Sequence, residues 1–237
     1  MDKIPKEIKK IIENYIIFKP KTNKELKVAV DLWCENKENA LKLYGHIYNW
    51  NTCLITNMDY LFSYKTNFNE NINYWDVSNV INMSCTFLYA ESFNKPLNKW
   101  NVSNVQDMRA MFSNARSFNQ DISKWNVSNV TTMEDMFLGC EDFNQPLNDW
   151  DVSNVTNMAH MFTACYKFNQ HLHKWNVSNV KDMVGMFYEC KNFNQPLNDW
   201  DVSNVEDMEY MFDSCYNFNQ PLDNWDVSNV INMDNMF

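Results

Sequence analysis

Glycine is scarce in this chain, with three residues among 237, although the chain must turn often. Asparagine is abundant instead, and it is the residue that adopts left-handed backbone conformations most readily after glycine. The first ten residues contain no apolar segment after their lysines, so we expect no secretory signal. No apolar run approaches the roughly 20 residues of a membrane span, which argues against a helical membrane protein.

Cysteine and charge narrow the class further. Seven cysteines without a signal predict free thiols in a reducing compartment, so we expect an intracellular, cytoplasmic protein. The net charge of −10 is uneven, because the first 49 residues carry ten lysines and seven acids and the remainder carries ten basic and 23 acidic residues. Nucleic-acid binding needs clustered basic residues, so we do not expect it here. The simplest explanation of the acidic charge is that it keeps the protein soluble.

The sequence is built on a repeat of 25 residues. Tryptophan recurs at this spacing, at Trp50, Trp75, Trp100, Trp125, Trp150, Trp175, Trp200 and Trp225. We number each repeat from its tryptophan, which is position 1, to position 25. Most repeats read W-(D/N)-V-S-N-V-x-x-M-x-x-M-F, then (C/A) at position 16 and F-N-Q at positions 19 to 21. Residues 50–237 thus hold seven full repeats and half of an eighth.

Two apolar periods within each repeat predict its local structure. Leu147, Trp150 and Val152 form an apolar segment whose last residues alternate with polar ones, a pattern typical of a short strand. Met158, Met161, Phe162 and Cys165 have the i, i+3, i+4, i+7 spacing of a helix face. A residue able to cap that helix precedes its first methionine in each repeat: Asn82, Asp107, Thr132, Asn157, Asp182, Asp207 and Asn232.

These patterns predict an α/β stack with one strand and one short helix in each 25-residue turn. The strands would form one parallel sheet in register, so that identical residues lie above one another. Tryptophan, valine, methionine, phenylalanine and leucine would fill the core.

The motif V-S-N-V-x-x-M-x-x-M-F-x-x-C-x-x-F-N-Q-P-L over residues 50–237 resembles the bacterial-surface-protein-A-like repeats grouped as domain of unknown function 285, which are often placed among the leucine-rich repeats. The resemblance implies a right-handed solenoid with a β-sheet on one face, used for protein interaction or adhesion. The Asn-, Lys- and Ile-rich composition is similar to copies from giant DNA viruses of protists, and this implies a viral source and a location in the host cytoplasm or the virion.

Residues 1–49 are predicted to be a helical cap over the first repeat. One apolar stripe joins Ile8, Ile11, Ile12, Tyr15 and Ile16, and a second joins Leu26, Ala29, Val30, Trp33 and Cys34. Thr22 to Glu25 forms a capping box before the second stripe, and Asn36 can cap a third helix that ends at Gly45. The segment from Ile4 to Ile12 also resembles the first helix of an F-box, which would imply a ubiquitin-ligase substrate adaptor.

No residue pattern predicts catalysis, a metal or a cofactor. Cys140, Cys165, Cys190 and Cys215 share position 16, but alanine holds that position in earlier repeats, so we interpret them as core residues. His160, His171 and His173 are too sparse for a metal site. Asp149 with Asp151, and Asp199 with Asp201, could act as paired carboxylates, but no nucleophile–base pair or phosphate loop accompanies them.

Two functions therefore remain open, a non-catalytic scaffold that binds a protein on its sheet face and a structural element that assembles through its ends. For the scaffold, the predicted partner-binding residues alternate with the core and face solvent: Asp149, Asp151, Lys174, Asn176, Asp199 and Asp201. For assembly, we expect a homodimer through the last turn: Trp225, Val227, Val230, Met233, Met236 and Phe237.

Overall fold

The computed structural model describes residues 17–237 and begins with a small helical segment. Helix α1 spans Asn23–Glu35, helix α2 spans Lys37–Tyr44, and a 3-10 turn spans Ile47–Asn49. The Thr22 hydroxyl accepts the Glu25 N–H at 3.1 Å, and the Asn36 side chain caps α2. The second and third predicted helices are thus confirmed, while the first predicted helix and the F-box-like segment lie outside the described residues.

Helix α1 packs against the first repeat through its apolar face. Leu26, Ala29, Val30 and Trp33 are buried, and the Trp33 ring meets the Trp50 ring edge-on at 5.9 Å. Cys34 is exposed, so its predicted place in the buried stripe is wrong. The helix also satisfies backbone groups of the first repeat, because the Asn23 side-chain oxygen accepts two of its N–H groups.

Consecutive repeats stack on one another in register. Parallel bridges join position 8 of each repeat to position 8 of the next, from Asn57 with Asn82 through to Asp207 with Asn232. The Trp125 and Trp150 rings stack at 6.5 Å with an angle of 4° between their planes. The predicted core residues of the repeat that begins at Trp150 are all buried, including Met158 and Phe162. Identical residues therefore form continuous apolar columns through the stack.

The predicted fold class, a right-handed leucine-rich-repeat-like α/β solenoid with one parallel sheet and a short helix per turn, is wrong. Among residues 17–237 the α-helices are α1 and α2, and the repeats contain isolated bridges rather than strands. Turns replace the predicted strand, because the N–H of Trp150 donates to Leu147 and that of Val155 donates to Val152, each three residues back. The alternating apolar pattern comes from these turns.

The predicted helix is replaced by consecutive turns that bond to the next repeat. In the repeat at 125–149, four alternate N–H groups donate to carbonyls of the following repeat at 2.8–3.0 Å. These donors are Met133, Asp135, Phe137 and Gly139. The intervening N–H groups of Met136, Leu138 and Cys140 donate three residues back within the repeat. An α-helix needs bonds four residues back, so bonding between repeats excludes it.

Left-handed residues make this arrangement possible. Every non-glycine residue of the described chain with a positive φ lies at position 11 or 15 of a repeat, and Gly139 and Gly185 occupy the same positions. At these positions the backbone N–H points to the next repeat, as at Asp135, whose N–H donates to the Ala159 carbonyl at 2.9 Å. The predicted capping residues at position 8 take part differently, since the Asn157 side chain accepts the Ala159 N–H at 2.8 Å within the turn.

We expect Trp150→Ala to lower the free energy of unfolding by about 3–5 kcal/mol, the usual loss for a buried large aromatic side chain. Trp150 is 2% exposed and its indole N–H donates to the Ile122 carbonyl at 3.2 Å. Urea denaturation followed by circular dichroism measures the change. Trp150→Phe, which keeps an aromatic ring, should cost less, and a loss below about 1 kcal/mol for the alanine variant would contradict the buried column.

The substitution Ala164→Gly distinguishes the observed turns from the helix that the sequence predicts, because the two structures give different changes in stability. Ala164 has φ 55°, where a side chain costs roughly 1–2 kcal/mol that glycine avoids. Glycine also loses about 0.5–1 kcal/mol through its freer unfolded state, so we expect a stability unchanged or raised by up to about 1 kcal/mol. A helix would instead lose about 1 kcal/mol. Ala159→Gly, at a neighbouring position without positive φ, is the control and should destabilise.

Candidate binding surfaces

The residues predicted to bind a partner form an exposed band on either side of the tryptophan column. We call positions 25 and 2 of the repeats the Trp-flanking band; its predicted members are Asp149, Asp151, Lys174, Asn176, Asp199 and Asp201. All six are exposed, as their alternation with the buried tryptophans requires. The structure brings them together in two columns, although no sheet underlies them. Their role in binding stays a prediction.

Half of this band is committed to local turns. The Asp151 carboxylate accepts the Ser153 hydroxyl at 2.6 Å and the Ser153 N–H at 3.1 Å. Asn176 makes the same two bonds with Ser178, at 2.7 and 3.1 Å. These bonds stabilise the charged form of the acid, and they lower the pKa of Asp151 below its ordinary value. Position 2 therefore requires a side chain, aspartate or asparagine, that can accept hydrogen bonds from the serine two residues on.

The charges at position 25 are only partly paired. Lys174 Nζ lies 2.8 Å from an Asp149 carboxylate oxygen, and this lysine lowers the pKa of Asp149. Asp199 forms no ion pair within the described part of the chain. Of the predicted alternating column, one neighbouring pair is in contact, which leaves Asp199 available to another molecule.

The residues predicted to form a dimer are unevenly exposed. Phe237 is 73% exposed and stacks on Phe212 at 5.6 Å, while Met233 is 41% and Val227 38% exposed. Trp225 and Val230 are half-buried. The sixth member is Met236, which is buried. Their association with a second chain stays a prediction.

The four cysteines at position 16 are buried, as expected, and each also donates a hydrogen bond. The Cys165 thiol donates to the Phe137 carbonyl of the preceding repeat at 3.0 Å, and Cys140, Cys190 and Cys215 do likewise with their own preceding repeats. Burial raises the pKa of Cys215 to about 12 and that of Cys165 well above its ordinary value. These groups are neutral thiols at neutral pH, which suits packing and not metal binding or nucleophilic attack.

The histidines lie apart from any metal-ligand group. No set of three His, Cys, Asp or Glu side chains within residues 17–237 is arranged to hold a metal ion. The rings of His171 and His173 are 5.5 Å apart and both residues are exposed. His160 lies in another column, where its Nδ1 is 3.3 Å from the Thr163 hydroxyl, which itself donates to the Gly185 carbonyl.

A groove of about 380 Å³ lies between helix α1 and the first repeat. Trp33, Cys34 and Tyr64 are among its lining residues. Its two lysines are paired, Lys37 with Glu70 and Lys65 with Asp31. Desolvation raises the pKa of the Cys34 thiol to about 11, so the groove carries no thiolate at neutral pH.

A second surface, which is partly exposed, was not predicted from the sequence. We call positions 10, 11, 14, 15 and 17 of the repeats the turn band, since they lie on or beside the left-handed turns. Position 11 holds a different residue in nearly every repeat: Tyr60, Cys85, Ala110, Asp135, His160, Gly185, Tyr210 and Asn235. Gly139 and Gly185 at left-handed positions were the available signal, but the apparent helical spacing concealed it.

Comparison with known families agrees with the repeat. A family model described as "Mycoplasma protein of unknown function, DUF285" matches residues 34–150 and again residues 134–237. The chain belongs to the DUF285 family. The predicted membership of domain of unknown function 285 is thereby confirmed, and the finer parts of the resemblance are not. Neither the curated proteins nor the solved structures contain a significant match to this DUF285 chain. Within its described residues, no helix is sufficiently long and apolar to cross a bilayer.

The carboxylates at position 2 should make stability depend on pH. Hydrogen bonds from the serine two residues on lower the pKa of Asp151, Asp201 and Asp226 in the folded state. A carboxylate with a lowered folded pKa stabilises the fold above its unfolded pKa of about 3.9, and this stabilisation is lost as the pH falls through the folded pKa. We therefore expect the urea midpoint of the wild-type protein to fall between pH 5 and pH 3.

A variant carrying Asp151→Asn, Asp201→Asn and Asp226→Asn tests this cause. Asparagine already fills position 2 at Asn101 and Asn126, where it accepts the same serine N–H. The variant should match the wild type near pH 7 and lose less stability on acidification. Equal pH dependence of the two proteins would show that other groups control acid unfolding.

Proposed function

We propose that this DUF285 chain is a non-catalytic scaffold that binds a protein partner. One observation supports the proposal, the separation between residues that hold the stack and residues that face solvent. Tryptophan, valine and phenylalanine recur in buried columns, whereas many exposed positions, such as position 25, change from repeat to repeat. A fixed frame with a varied surface is what extended repeat proteins use to recognise other proteins.

The side chains of the recurring polar residues form hydrogen bonds that connect one repeat to the next. The Asn154 amide donates to the Ser128 carbonyl at 2.7 Å, and the Asn119 side-chain oxygen accepts the N–H of Asn144 at 3.0 Å. Similar bonds connect the other repeats in these columns. The recurring asparagines thus stabilise the stack, and recognition falls to the residues that vary.

The chemistry of the reactive groups also favours binding over catalysis. The position-16 thiols are buried and their pKa values are raised, so they are poor nucleophiles. The position-2 carboxylates accept hydrogen bonds that hold them ionised, which makes them poor proton donors. The adaptor and virion-assembly roles and the viral source stay predictions.

The Trp-flanking band is the first surface to test. A variant with Lys174→Glu and Asp199→Lys reverses two exposed charges without changing the net charge. Wild-type and variant proteins are used as bait in extracts of the cells that express the protein, and each retained protein is then purified and titrated. We expect at least a tenfold loss of affinity in the variant, because exposed charges at a docking surface set complementarity.

The matched control exchanges another charged pair. Lys181 Nζ lies 3.3 Å from Glu206 at position 7, away from the band, so Lys181→Glu with Glu206→Lys keeps the pair and the net charge. This variant should bind as the wild type does. The scaffold proposal fails if no retained protein binds the purified chain directly, or if every surface variant of both bands binds as tightly as the wild type.

A further inference from the structure

The turn band carries most of the tyrosines of the described chain. Seven of the ten tyrosines in residues 17–237 occupy its positions: Tyr60, Tyr64, Tyr89, Tyr166, Tyr188, Tyr210 and Tyr216. None of these seven is buried, and Tyr216 is 77% exposed. Tyrosine is concentrated at protein interfaces because its rigid ring offers apolar area together with a hydroxyl group.

Four of these tyrosines lie in the last repeats, and three of them form a cluster with two acids. We call Tyr166, Tyr188, Glu189, Tyr210 and Asp213 the tyrosine–acid cluster. The rings of Tyr188 and Tyr210 meet edge-on with centroids 6.2 Å apart. The Tyr166 hydroxyl donates to a Glu189 carboxylate oxygen at 3.5 Å, so residues of three successive repeats are connected.

The cluster is negatively charged. Within the described residues, neither Glu189 nor Asp213 forms an ion pair with a lysine or arginine. The charge of Glu189 is the main reason that the pKa of Tyr188 lies above its ordinary value, and Asp213 adds to it. Both acids are only half-buried, so their field extends to the surface where the tyrosine rings lie.

One ring of the cluster already contacts a cation of the same chain. Lys191 Nζ lies 4.4 Å from the centre of the Tyr166 ring, which is a cation–π contact. Arginine would suit the same surface better than lysine, since its planar guanidinium stacks on aromatic rings and can bond a carboxylate with two N–H groups. The geometry therefore favours a basic ligand.

We infer that the tyrosine–acid cluster docks a basic, arginine-containing segment of a partner protein. This inference rests on the proposed scaffold function and identifies the chemistry of the partner. Charge complementarity carries the choice, because the chain has a net charge of −10 and the cluster combines two carboxylates, neither in an ion pair with a described residue, with partly exposed tyrosine rings. The same charge repels nucleic acid and anionic lipid surfaces.

A labelled nine-residue peptide of alternating arginine and serine is the probe, titrated into the full chain at about 150 mM salt and followed by fluorescence anisotropy. Salt at this level screens distant charges and leaves close contacts. We expect saturable binding, at least threefold weaker binding of the matching lysine–serine peptide, and no binding of a glutamate–serine peptide. The lysine peptide separates ring stacking from net charge.

Three double variants locate the contact. Tyr188→Ala with Tyr210→Ala should weaken arginine-peptide binding at least fivefold without altering charge, and Glu189→Gln with Asp213→Asn at least tenfold. The control is Asp121→Asn with Asp223→Asn, which removes two exposed charges away from both bands and should leave binding within twofold. Circular dichroism and urea midpoints establish that every variant remains folded.

The outcomes are distinct. Equal weakening by the control and by the acid variant would reduce the effect to net charge and overturn the inference. So would unchanged binding in the tyrosine variant, or a wild-type dimer by sedimentation that this variant converts to a monomer, since a second copy would then occupy the cluster. Each of these three results leaves the scaffold proposal standing, because direct binding of retained proteins tests that proposal separately.

Discussion

Hydrogen bonds from alternate backbone N–H groups to the carbonyls of the next repeat are the interaction on which the rest of the structure depends. They run from position 9 to position 15, as in Met133 to Asn157 and Gly139 to Thr163. Each such bond requires its donor to turn toward the following repeat, and left-handed residues at positions 11 and 15 provide that turn. A left-handed residue is disfavoured alone, but hydrogen bonds hold it in place, as at Asp135, whose N–H donates to Ala159 of the next repeat and whose carbonyl accepts the Leu138 N–H.

The register between repeats follows from the same bonds, and it explains why large residues recur every 25 positions. Once position 8 lies above position 8, every buried group meets its equivalent 25 residues away. Phe137 then stacks on Phe162 at 5.7 Å, and the Trp175 indole N–H reaches the Leu147 carbonyl at 2.9 Å. A change at one level affects packing on both sides, so large residues recur without substitution through the middle of the stack.

The sequence predicts the period, the register and the core, because these depend only on which residues recur. It also predicts the N-caps of helices α1 and α2, because Thr22 and Asn36 each bond to a backbone N–H only three residues away. It fails on the class of the repeat because Met158, Met161, Phe162 and Cys165 have helical spacing while their backbone does not. Consecutive turns place side chains inward at the same intervals, so apolar spacing alone does not distinguish the two. The turn band was missed for that reason.

The same backbone explains why variation collects on one surface. At positions 11 and 15 the backbone conformation is fixed by neighbouring repeats, so the side chain contributes little to holding the turn. Alanine, aspartate, histidine and tyrosine all occupy position 11 at nearly the same φ, between 50° and 57° in Ala110, Asp135, His160 and Tyr210. Position 2 lacks this freedom because its side chain must accept the serine N–H. The frame therefore accepts different side chains at these positions where the preceding repeat leaves room, as a recognition surface requires. At Gly185 an added Cβ would lie 2.5 Å from His160 Nδ1, so a side chain there needs this ring to move.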